Sequence, residues 1–81
     1  MSTKIVEMTP AQCRAGRGLL ELTQTQLAEA AGLGLSTVVD FERSRRTVSA
    51  DAAASILRAL EAAGVEFTNG EQPGVRLRKA P

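Results

Sequence analysis

In the stretch QLAEAAGLGLSTVVDFERSRR, Gln26–Arg46, Leu27, Ala28 and Ala31 recur at helical spacing and stop at Gly32. Apolar residues three and four apart mark the buried face of an amphipathic helix. The glycine that follows supplies the left-handed residue on which helices commonly end. A second helix is then expected from Leu35 to about Arg43, with Val38 and Phe41 turned inward. Ala28 is small, Gly32 makes the turn, and Leu33 and Val38 are apolar anchors. Such spacing lets two helices cross steeply while the second keeps one face outside. That face would carry Leu35, Ser36, Thr37, Val39, Asp40 and Arg43.

The flanks read as further helices. Thr23, with Gln26 three residues on, is a capping-box signal and opens the first of the two helices at about Gln24, to end at Ala31. Thr9, Pro10 and Gln12 repeat the signal and predict a helix over Pro10–Leu20, with Cys13, Gly16, Leu19 and Leu20 inward. Residues 1–8 read as a short extended arm. On the other side, Ser49 caps a helix whose first turn holds Asp51, a charge favoured by the helix dipole. Ala53, Ile56, Leu57 and Leu60 form its inner face, and it stops at Gly64. Beyond lie VEFT and VRLR, both alternating, separated by the turn-rich NGEQPG, which predicts a β-hairpin. The domain is mainly α. The organisation expected is an arm (1–8), a helical domain (9–64) and a hairpin with tail (65–81) that is a candidate dimerisation element.

Eighty-one residues suit one domain with a modest core. With two Phe, no Trp and no Tyr, that core must be built from Leu, Val, Ile and Ala, which favours closely packed helices and makes a dimer attractive. The net charge of +1 gives no bulk argument for a polyanionic partner, but Arg43, Arg45 and Arg46 cluster, as do Arg76, Arg78 and Lys79. The single Cys13 excludes an internal disulfide, and with no histidine present a metal site is not expected. Ser36 and Thr37 would need a neighbouring base to act as nucleophiles, so no enzyme and no cofactor is expected. No apolar run approaches the roughly 20 residues that span a bilayer, and MSTKIVEMTP lacks the apolar centre of a secretion signal. A cytoplasmic protein without membrane contact is the expectation.

The stretch TQTQLAEAAGLGLSTVVDFERSRR, with TPAQCRAGRGLL before it, resembles the phage-repressor-like (Cro/XRE type) helix-turn-helix family. The tail LEAAGVEFTNGEQPGVRLRK is similar to that of short bacterial members, so the resemblance spans about residues 8–79. It implies a compact four-to-five-helix bundle of the lambda-repressor-like DNA-binding type. It also implies a transcription regulator, mostly dimeric, whose second motif helix enters the major groove. By resemblance, Gln24 would hold a phosphate and brace the reading helix. Ser36, Thr37 and Asp40 would face bases or phosphates, while Arg43, Arg45 and Arg46 would grip phosphate oxygens. Arg17 and Glu42 match a partly buried salt bridge of purely structural role.

Two positions depart from the family pattern, which favours a small polar residue at 34 and a long polar or basic one at 35. Gly34 remains an acceptable N-cap. Leu35 cannot hydrogen-bond a base edge but can touch a thymine methyl group. Asp40 can accept from cytosine, or pair with Arg43 one turn on. The base-facing set is therefore Leu35, Ser36, Val39 and Asp40, and the phosphate-facing set Gln24, Thr37, Arg43, Arg45 and Arg46. The expectation is a homodimeric regulator on a palindromic double-stranded DNA operator. Open alternatives are an antitoxin-type autoregulator with a toxin partner, and a protein-interaction module that docks the exposed face of the Leu35 helix on a regulatory protein.

Overall fold

The computed structural model describes residues 8–69 and 72–78. Most of the expected N-terminal arm, and Lys79, lie outside them. The order of elements is α1 (Pro10–Leu20), α2 (Gln24–Ala31), α3 (Leu35–Glu42), α4 (Ala50–Ala62), β1 (Val65–Thr68) and β2 (Gly74–Leu77). The fold is thus mainly α, with an antiparallel hairpin at its C-terminal end.

Local signals set the helix starts. Thr9 and Thr23 each accept from the backbone N–H three residues on, and Gln12 and Gln26 return a side-chain oxygen to the cap N–H. Ser49 Oγ accepts from Ala52 N–H at 3.0 Å. Three helices stop on a left-handed residue: Glu21, Gly32 and Ser44. At each, the N–H of the following residue reaches back to a carbonyl five positions earlier, from Leu22 to Arg17, Leu33 to Ala28 and Arg45 to Asp40. Only Gly32 adopts that conformation without a Cβ penalty.

Cys13, Leu27, Ala28, Val38, Ile56, Leu60 and Val65 form the buried core, drawn from all four helices and β1. Leu20, Ala31, Leu33, Phe41, Phe67 and Val75 pack around it. Leu19, expected inside, is exposed. At about 100° per residue it falls outside the arc from Gln12 to Cys13 and Leu20 that the core covers. β2 begins at Gly74, one residue earlier than VRLR implied, because Gly74 pairs with Thr68. The register Val65–Leu77 and Phe67–Val75 sets Val65, Phe67 and Val75 against the helices, leaves Leu77 exposed at the open end, and lets Glu66 and Arg76 pair on the outer face at 2.6 Å.

Candidate nucleic-acid interface

α3 is held from below by its last residue. Glu42 is 1% exposed, yet each of its carboxylate oxygens is satisfied twice. Arg17 donates from Nε to Oε2 and from Nη2 to Oε1, both at 2.9 Å. Gln24 Nε2 donates to Oε1 at 3.0 Å and the Cys13 thiol to Oε2 at 3.3 Å. One carboxylate therefore ties α1, α2 and α3 together. Burial pushes the Glu42 carboxyl up, but the hydrogen bonds from Arg17, Gln24 and Cys13 outweigh it and the net shift is downward. Burial, reinforced by the hydrogen bond to Glu42, drives the Cys13 thiol far above its ordinary value. The Arg17 guanidinium is raised by its hydrogen bonds to Glu42, against the opposing effect of burial.

This bonding divides the candidate residues. One N–H of the Gln24 amide is committed to Glu42, which leaves the amide a single further donor for any outside acceptor. Each of the three guanidinium nitrogens of Arg17 is engaged, since its Nη1 also donates to the Leu22 carbonyl at 3.1 Å. Arg14, which sequence reasoning passed over, donates from Nη1 to the Glu42 carbonyl at the C-terminal end of α3. A cation there is favoured by the helix dipole. The legible signal was its place one turn before Arg17 on the same helix.

Val38 is buried and Phe41 half-buried against the core, so the opposite side of α3 faces out. Leu35 is 46% exposed and Ser36 is exposed, while Thr37, Val39 and Asp40 are half-buried. The helix opens at Gly34, whose backbone is extended and which offers no side-chain cap. Gly32 (φ 70°) sets the crossing of α2 and α3. A Cβ there would meet nothing within 4 Å, so the backbone dihedral and not space demands glycine.

Beyond α3 the left-handed Ser44 (φ 53°) turns the chain back, and Arg45 N–H bonds the Asp40 carbonyl at 3.0 Å. Arg43, Arg45 and Arg46 all lie exposed. Of the two roles open to Asp40 in the sequence, the pairing with Arg43 is not the one formed. Asp40 Oδ2 instead accepts from Arg46 Nε at 2.8 Å. Arg43 is the cap residue, already off helical register (φ −98°, ψ 2°), while the reversal at Ser44 delivers Arg46 to the carboxylate. Among the described residues Arg43 and Arg45 form no ion pair.

Among the described residues no group of three or more His, Cys, Asp or Glu is placed to hold a metal, and no helix is long and apolar enough to cross a membrane. The arrangement is a surface: a buttressed helix with an apolar and hydroxyl-bearing outer face, edged at its far end by guanidinium groups. A family model described as helix-turn-helix matches residues 14–67, from within α1 to within β1. No curated protein matches the chain.

Proposed function

The chain belongs to the Cro/C1-type helix-turn-helix family, whose members are DNA-binding regulators, and on that premise we propose that it acts as a homodimer on a palindromic operator. The observation that carries this reading is the two-sided character of α3. Glu42 locks its inner side to two other helices, while Leu35 and Ser36 stand exposed on the other. A rigid helix with a free outer face is what insertion into a major groove requires.

In this reading Leu35, Ser36 and Val39 face base edges, with Leu35 against a thymine methyl group. Thr37, Arg43 and Arg45 contact phosphates, joined by the remaining N–H of Gln24. Phosphate contacts set register and affinity, and the few base contacts set preference. Two copies related by a dyad would place their reading helices about 34 Å apart, one turn of duplex. A small core, and the exposure of Leu19 and Leu77 outside α3, support a second copy.

Selection of bound sequences from a random duplex pool tests the whole reading. An inverted repeat with half-site centres about one helical turn apart is expected. A single ungapped half-site would remove the dimer, and no enriched sequence would remove the operator.

The exposure of Leu35 also supports a second reading, in which α3 docks on another protein. Salt separates the two. Binding to DNA weakens steeply with added salt because counterions are released, whereas an apolar protein contact hardly responds.

A further inference from the structure

The Asp40–Arg46 pair assigns each residue a part that neither would have alone. We propose that Arg46 is a base reader, recognising the O6 and N7 edge of a guanine, and that Asp40 is its positioning residue and not itself a reader. The inference rests on the DNA-reading role of α3 proposed above.

Asp40 stands one helical turn beyond Ser36 on the outward side of α3, so a guanidinium held 2.8 Å from its carboxylate is also on that side. The contact uses Arg46 Nε alone. Anchoring a guanidinium by Nε leaves the fork of its two terminal nitrogens pointing away from the carboxylate. That fork matches two acceptors side by side, and arginine on guanine O6 and N7 is the commonest specific contact in the major groove.

Charge decides between a base and a phosphate. The two side chains are 53% and 21% exposed, so their attraction adds little stability and the pair acts mainly to orient. It also places a negative charge against the arginine, so the pair as a unit is close to neutral. A neutral unit gains little from the phosphate backbone, where attraction scales with net positive charge. Hydrogen bonding to a base edge needs donors in the right place and no net charge. Arg43 and Arg45, which form no ion pair among the described residues, suit phosphates far better.

Random-pool selection with the parent, Arg46→Lys and Asp40→Asn tests this, alongside the salt dependence of binding to a fixed duplex. Arg46→Lys keeps the charge and loses the fork. It should lower the guanine preference at one position per half-site about tenfold or more, with the salt slope unchanged. Asp40→Asn should relax preference at that same position while tightening binding to unrelated duplex, because a repelling charge is gone. A parent motif left intact by Arg46→Lys, or an Asp40→Asn change confined to a different position, would overturn the assignment while leaving the operator reading standing. A parent that enriches no motif would overturn both.

Discussion

Arg17 binds both oxygens of Glu42 through parallel hydrogen bonds of 2.9 Å, and so joins α1 to the final residue of the helix that faces outward. The fork geometry is the strong form of an ion pair, and Glu42 is buried. Removing one partner strands a charge away from water, at a cost of about 3–5 kcal/mol. Arg17→Met should therefore lower the unfolding free energy by about that amount in urea titrations. Replacing both residues, as Arg17→Met with Glu42→Leu, should cost much less than the sum of the single changes. Additive single and double changes would mean that the pair does not act as a unit.

The same cluster predicts the pH limits of stability. Glu42 is depressed in the fold, and unfolding returns it to its ordinary value of 4.5. In acid the unfolded chain therefore binds the proton first, and stability falls as pH drops below about 4.5. Cys13 is raised from 9.0. In alkali the unfolded thiol loses its proton first, so stability also falls as pH rises beyond about 9. Urea titrations across pH should show Glu42→Gln with a shallower acid decline than the parent, and Cys13→Ala with a shallower alkaline one. An unchanged profile in either variant would exclude that group as a source of the limb.

Gln12 fixes the hairpin to α1. Its Oε1 accepts from Thr9 N–H at 2.9 Å, and its Nε2 donates to the carbonyls of Thr68 and Gly74 at 2.9 and 3.0 Å. Those carbonyls belong to the last register pair before the turn. Gln12→Leu deprives three backbone groups of a partner, with an expected loss of about 2–3 kcal/mol. Amide exchange should locate the effect: the amides of β1 and β2 lose protection before those of α4. Equal loss throughout would mean that Gln12 acts only as a helix cap.

Gln12 also shows where sequence reading stops. Its role in the capping box is local, three residues from Thr9, and legible from spacing. Its two bonds to the hairpin join positions far apart in sequence, and no periodicity records such a contact. The same divide holds for the candidate interface. Glycine, cap and apolar spacing give the bounds of α2 and α3 almost to the residue, because neighbours decide them. The Asp40–Arg46 pair depends on a left-handed Ser44, a conformation uncommon for a non-glycine residue and marked by no residue type in the sequence. Leu19 was misplaced for a related reason: helical period finds an apolar arc, but neighbouring elements decide how much of its margin is covered.

Arg43 and Arg45 should contribute to binding without choosing a sequence. Replacing both with alanine is expected to weaken binding about equally for selected and unrelated duplexes. The slope of log affinity against log salt should become shallower by about 0.9 for each phosphate that is no longer neutralised. A change in the selected motif instead would place one of the two against a base.

Leu35 makes the sharpest separation between reading DNA and docking on a protein. Ordinary duplex offers it one apolar target in the major groove, the thymine methyl group. If Leu35 contacts it, replacing one thymine per half-site by uracil removes the methyl and leaves every hydrogen-bonding group in place. The parent should then bind several-fold more weakly, on the order of one methyl group's transfer free energy. Leu35→Gln should bind thymine and uracil duplexes alike, and should move the preference at that position toward adenine, whose N6 and N7 a glutamine can engage together. A single selected duplex, scanned thymine by thymine, is enough for the measurement. If no thymine is sensitive in the parent, and Leu35→Gln selects the parent's own motif, Leu35 has no part in reading DNA. Its exposure on the outer side of α3 would then belong to a protein contact.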